Sequence, residues 1–156
     1  VEGFSKKKRN FKLVVLGNYD SKNIFHQKVL DAASDEVIFV GAIYEKTVVQ
    51  SLRFHSLAYV HGHQVGGTNP SLVEALGAGN AIIAHDNRFN RWVADTAACY
   101  FDGSDSFSDQ LDNLLNKPLL ILQMQGRAYE RFKAEFTWVN VLGQYEKLLL
   151  KKGYDQ

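Results

Sequence analysis

Leu57-Ala58-Tyr59-Val60, then His61-Gly62-His63-Gln64-Val65-Gly66-Gly67-Thr68-Asn69-Pro70-Ser71-Leu72-Val73-Glu74-Ala75-Leu76, then Gly79-Asn80-Ala81-Ile82-Ile83-Ala84 reads as strand, glycine-rich loop, helix and strand. The two strand segments are nearly continuous apolar runs without alternation, as in strands covered on both faces of a parallel sheet. Asn69 can cap the helix, and Pro70 takes its first position, where an N–H would be unpaired anyway. Leu72, Ala75, Leu76 and Gly79 fall on one helical face.

Outward from this unit, residues 12–16, 37–40 and 98–101 repeat the strand pattern. Asp20 or Ser21 can cap a helix carrying Phe25, Val29 and Ala32; Val48, Val49 and Leu52 form a short stripe; another helix runs over 88–95. Strand alternating with helix implies right-handed crossovers, and so an α/β fold with a doubly wound parallel sheet. Two amphipathic helices then close the chain. Leu122, Tyr129, Phe132 and Phe136 mark the first; Trp138, Val141, Leu142, Tyr145, Leu148 and Leu149 mark the second. Both stripes read as packing surfaces.

At 156 residues, 46% apolar and 12% aromatic, the composition suits one compact domain and excludes disorder. The 18 basic against 17 acidic residues leave a formal charge of +1, with no general basic field for nucleic acid. Lys6, Lys7, Lys8 and Arg9 read as a solvated loop or helix end, while Asp95, Asp102, Asp105, Asp109 and Asp112 form an acidic stretch. The single cysteine, Cys99, fits a reducing compartment, with the cytoplasm as default. No apolar run approaches the roughly 20 residues that cross a bilayer, so neither a signal nor a transmembrane segment is expected. The opening Val1-Glu2-Gly3-Phe4, without an initiator Met, reads as the start of a fragment.

Ligands of doubly wound sheets bind beyond the carboxyl ends of the strands. This singles out Gly17-Asn18-Tyr19-Asp20, Gly41-Ala42-Ile43-Tyr44, and the loops over 61–69 and 85–90. Gly66 and Gly67 stand directly ahead of a capped helix, whose unpaired N–H groups carry about half a positive charge. The pair forms an anion cradle or, more simply, a tight turn. Glu74 lies one turn into that helix and points away from the sheet-facing side, where it is a ribose ligand or an ordinary surface residue. His61 and His63 share one face of a strand, but no third ligand stands near, so no metal is expected. Gly17-Asn18 lacks the later glycines of G-x-G-x-x-G, and no Walker lysine follows any strand.

Together these residues resemble the carboxyl-terminal, donor-binding half of a family-4 retaining GT-B glycosyltransferase. The resemblance covers nearly the whole chain, through Gly66 to Leu76, Gly79 to Ala84, and the closing Phe136-Thr137-Trp138 and Gln144-Tyr145-Glu146-Lys147-Leu148. His61 to Pro70 and His85-Asp86-Asn87-Arg88-Phe89-Asn90 are similar to bacterial rhamnosyltransferases of polysaccharide and O-antigen assembly. The resemblance implies a Rossmann-like half of a GT-B fold and a dTDP- or UDP-linked sugar donor. It also implies transfer of a hexose or deoxyhexose to a lipid-linked or polysaccharide acceptor, without a cofactor or divalent metal. It gives Glu74 the ribose, the backbone of Thr68, Asn69 and Ser71 the diphosphate, and the Gly41, Ile43 and Tyr44 loop the nucleobase, with Gly66 and Gly67 also among the donor-binding residues. Gly17, Asn18 and His63 complete the donor-binding set, and no catalytic residue is assigned.

Two departures stand out. The first Glu of the family's Glu-x7-Glu pattern falls on Gly66, and the family's Glu in the following loop falls on Trp92. That leaves His63, Gln64 or the glycine backbone for the sugar. The strand and basic pair that open such a half, and the acceptor-binding half, are expected ahead of Val1, so the isolated fragment is expected to be inactive. The intact enzyme is expected in the cytoplasm, at the inner face of the membrane. Two rival readings are a GT-B-like nucleotide-sugar epimerase and a nonenzymatic α/β interaction domain.

Overall fold

The computed structural model describes residues 1–152. Its elements run α1 (Glu2–Ser5), β1 (Leu13–Leu16), α2 (Ile24–Asp31), β2 (Val37–Gly41), α3 (Lys46–His55), β3 (Tyr59–His61), α4 (Pro70–Gly77), β4 (Ile82–His85), α5 (Arg88–Ala94), β5 (Ala98–Phe101), α6 (Ser104–Leu115), α7 (Pro118–Glu135) and α8 (Trp138–Lys152). All five expected strands form, within two residues of the expected bounds, and every pairing is parallel.

The ladder, however, is in two pieces. β1 pairs with β2, and β3–β4–β5 form a separate three-stranded sheet, so β1, β2, β3 and β5 each keep one edge without a strand partner among the described residues. β4 is central, and its side chains alternate between two cores. Ile82 and Ala84 join Leu72, Ala75, Leu76 and Val93 on one face, while Ala81 and Ile83 join Phe4, Phe107, Leu111 and Leu114 on the other. That is the doubly wound arrangement expected. β1 and β2 depart from it, because Val14, Leu16, Ile38 and Val40 are exposed while their neighbours turn inward. A two-stranded piece with helices against one face alternates in burial, whereas the central β4 is covered on both.

Asn69 caps α4 and Pro70 opens it, as the sequence indicates. Leu72 and Leu76 are fully buried, and at about 2 kcal/mol each they anchor the helix and the loop at its head. The cap of α2 is Asn23 rather than Asp20 or Ser21: its carboxamide accepts from the N–H groups of Phe25 and His26, while the Asp20 carboxylate closes a turn onto Lys22. Phe25 is exposed, so of the expected α2 stripe only Val29 and Ala32 turn inward. The basic run follows the end of α1 with Lys6, Lys7 and Lys8 exposed, as expected, but it is also paired. Lys6 pairs with Asp105, and Lys7 and Arg9 pair with Asp112, which docks the run on the acidic side of α6.

The closing helices split the expectation made for them. α7 buries Met124 and Ala128 and packs Phe132 and Phe136 on the first core, leaving Leu122 and Tyr129 exposed. α8 is largely unpacked: Trp138 is 78% exposed, and Leu142, Tyr145, Leu148 and Leu149 are exposed as well. Its stripe is therefore no internal packing surface. No helix among the described residues is long and apolar enough to cross a membrane.

Candidate functional site

The loops at the strands' carboxyl ends are built from the residues singled out above. Beyond β1 and β2, the N–H of Gly17 donates to the carbonyl of Gly41 at 2.9 Å, and the two residues sit at φ +139° and +73°, conformations that favour glycine. Asn18 and Tyr44 are exposed beside this bridge, and Ile43 is half-buried. Beyond β3, residues 62–68 are all exposed. Gly66 takes φ +119°, and a Cβ built on Gly66 or Gly67 would meet no atom within 4 Å, so open space lies over this backbone. No hydrogen bond among the described residues joins the Gly17–Gly41 bridge to this loop.

A chain of hydrogen bonds sets the loop on α4. The Tyr59 hydroxyl donates to Ser71 Oγ at 3.1 Å, Ser71 Oγ donates to Asn69 Oδ1 at 2.7 Å, and Asn69 Oδ1 also accepts from the Ser71 N–H. Tyr59 also reaches His61 Nδ1 at 3.4 Å. His61 is 1% exposed, its Nε2 has no partner, and its ring stacks on His63 at 4.8 Å. Burial, and then the neighbouring His63, push the His61 imidazole down to about 4, so it stays neutral near pH 7. Among the described residues no group of three His, Cys, Asp or Glu side chains could hold a metal ion.

Two asparagines of the 85–90 segment, given no role by the sequence, hold the 61–69 loop from the other side. Asn87, the cap of α5, donates to the His63 carbonyl at 3.0 Å, and the buried Asn90 donates to the carbonyls of His63 and His85, both at 2.9 Å. The signal was legible, since Asn87 precedes a helix just as Asn69 does. Asp86 forms a two-point pair with Arg91, at 2.5 and 2.7 Å, which holds its carboxyl below the usual range. Trp92 does not lie in a loop. It sits within α5, edge-on to Phe136, the residue that caps the end of α7, at 6.0 Å.

Glu74 is exposed, as its position on α4 requires, but it already has a partner. Arg53 Nη2, from the last turn of α3, lies 2.7 Å from Glu74 Oε2. Nothing in the sequence links two residues so far apart on different helices.

A family model described as Glycosyl transferase-like matches residues 2–147, nearly all of this chain. The chain belongs to that family. No curated protein sequence matches it significantly. Among solved structures, this glycosyl transferase-like chain is similar to HepE of Anabaena in complex with UDP-glucose, with TM-score 0.80, 12% identity, and coverage of 96% of this chain and 43% of that one. A glycosyltransferase from Rickettsia africae gives TM-score 0.75 at 10% identity, over 99% of this chain and 44% of that one. Sucrose-phosphate synthase from Thermosynechococcus elongatus gives 0.72 at 17%, over 93% and 39%. The glycosyl transferase-like chain thus spans less than half the length of each, and its fold is the carboxyl-terminal half of a GT-B glycosyltransferase.

Proposed function

We propose that this chain is the donor-binding half of a retaining glycosyltransferase that moves a hexose or deoxyhexose to a lipid-linked or polysaccharide acceptor in bacterial surface glycan synthesis. Rhamnosyl transfer is the form that the wording of residues 61–70 and 85–90 favours. The observation that carries the reading is the open Gly66-Gly67 backbone at the head of the Asn69-capped, core-anchored α4. The family match over residues 2–147 and the UDP-glucose held by a similar structure support it.

In this reading the open Gly66-Gly67 backbone faces the diphosphate at the positive end of α4, whose own first N–H groups, those of Ser71 and Leu72, are bonded to Asn69. As the bond from the sugar C1 to the diphosphate oxygen breaks, negative charge grows on the leaving group, and the helix end stabilises it without a metal. Glu74 accepts the ribose hydroxyls, and the Gly41, Ile43 and Tyr44 loop borders the base. A deoxyribose offers a single hydroxyl in place of the diol, so of the two expected donors the Glu74 assignment favours a UDP-linked one. A further strand of the longer protein would join the two sheet pieces, with an acceptor-binding domain elsewhere in that protein; the separation of β1–β2 from β3–β4–β5 is in keeping with this. The cytoplasmic face of the membrane is where such a protein would meet its acceptor.

Calorimetric titration of UDP in chelator and in Mg²⁺ tests the reading. Affinity independent of Mg²⁺ is expected. Glu74→Gln should weaken UDP about tenfold or more, because charge-assisted hydrogen bonds are worth roughly 1.5–3 kcal/mol each. Inorganic pyrophosphate should bind the variant as well as the parent or slightly better. Equal loss of both ligands, or UDP binding only with Mg²⁺, would overturn the assignment.

A further inference from the structure

Arg53 lies outside every loop that the ligand rule singles out, yet it is the side chain closest bound to the ribose candidate. Its side chain is 15% exposed, against 58% for the side chain of Glu74 that it meets. Its main chain is fixed as well: the Arg53 carbonyl accepts from Asn80 Nδ2 at 2.7 Å and from the Ser56 hydroxyl at 2.8 Å. Asn80 is itself buried, in the turn that follows α4. The connection therefore leaves the α4–β4 segment at Asn80, crosses to α3, and returns through the guanidinium to Glu74 on the same segment. A wandering surface lysine would make no such closed circuit.

The ion pair has an exposed carboxylate, and pairs of that kind add little to stability. Orientation is what it supplies. A free glutamate on a helix surface has three flexible torsions to freeze before it can accept two hydroxyls, whereas one whose Oε2 is held by a guanidinium presents Oε1 already directed. Resting on the ribose role given to Glu74 above, we propose that Arg53 is a positioning residue for nucleotide recognition. It sets the Glu74 rotamer, and the preference for a ribonucleoside over a 2′-deoxyribonucleoside diphosphate depends on it although it touches no ligand.

The test is a titration of UDP, 2′-deoxy-UDP and inorganic pyrophosphate against the parent chain, Arg53→Gln, Arg53→Lys, Glu74→Gln and the Arg53→Gln/Glu74→Gln pair. Arg53→Gln should weaken UDP about fivefold, the cost of immobilising one flexible side chain on binding, and narrow the UDP to 2′-deoxy-UDP ratio by a similar factor. Arg53→Lys should recover part of that loss. Pyrophosphate affinity should stay within about twofold throughout, and Arg53→Gln should change nothing further once Glu74 is Gln, because a residue that acts only through another has no effect in its absence. A rise in UDP affinity in Arg53→Gln would make the arginine a competitor for the carboxylate and sink the proposal. So would parallel loss of pyrophosphate, or an equal loss in the Glu74→Gln background. If the parent chain itself shows no preference for UDP over 2′-deoxy-UDP, the ribose role of Glu74 fails. If that preference exists and survives in Arg53→Gln, only the role of Arg53 fails.

Discussion

Replacing His61 with Phe should abolish most of the loss of stability between pH 7 and pH 5. The imidazole is sealed against solvent, with Nε2 unpartnered and His63 stacked on its face. Its affinity for protons is pushed down from 6.5 to about 4, chiefly by burial. The sign follows directly: the unfolded chain binds this proton more readily than the folded one, so stability rises with pH across the window from about 4 to 6.5. The shift amounts to about 3 kcal/mol when fully expressed, and between pH 7 and pH 5 to about 2 kcal/mol. For a domain of this size that lowers the melting temperature by about 4–8 °C. Phenylalanine fills similar space and carries neither the titrating group nor the orphaned nitrogen. Thermal unfolding of the parent and of His61→Phe at half-unit steps from pH 5 to 7 gives the comparison. The carboxyls of Asp86 and Asp112 are both held down by cations, so the stability they supply is lost only as pH falls through the carboxylate range, below this window. An undiminished slope in His61→Phe would show that the imidazole is not held neutral by the fold.

Gly3→Ala should cost about 2 kcal/mol in denaturant titration, since its Cβ would lie 2.4 Å from the Ser104 carbonyl oxygen and 2.9 Å from Phe107, forcing α1 off α6; unchanged stability would mean α1 does not sit there. Asp112→Asn should destabilise by about 2 kcal/mol, because Arg9, 6% exposed, loses its counter-charge while Asp112, at 27%, keeps part of its water. Chemical unfolding with Asp105→Asn as the exposed control measures the difference. The bare stripe of α8 should drive self-association as concentration rises, read by light scattering, and Trp138→Glu with Leu149→Glu should restore a constant monomer mass.

Local rules read most of the fold because most of it is decided locally. Asn69-Pro70 marks the start of α4 through its cap and its first-position proline, and the apolar run at 81–84 reads as a strand buried on both faces, as it is. Where the sequence misleads, the deciding partner is distant. The run at 13–16 is as apolar as β4, yet β1 gains helices on one face alone. The stripe of α8 is as regular as any, but nothing among the described residues covers it. Lys7 and Arg9 find their counter-charge about a hundred residues on, at Asp112. The same limit applies to the site. The glycines, Asn69 and Glu74 were legible because helix ends and glycine turns announce themselves, whereas Arg53 acquires its place only when α3 and α4 come together.

The interrupted ladder also bears on how the molecule opens. A continuous sheet transmits order from strand to strand through its amide bonds, but here the β1–β2 piece is coupled to the rest through side chains such as Leu13, Val37 and Phe11 against Phe4 and Ile83. Such a join can part without breaking a single ladder bond. Amide protons of residues 13–16 and 37–41 should exchange in subglobal events, well before those of 82–85 at the centre of the other sheet. Phe4 and Leu13 then form the seam along which the domain first comes apart.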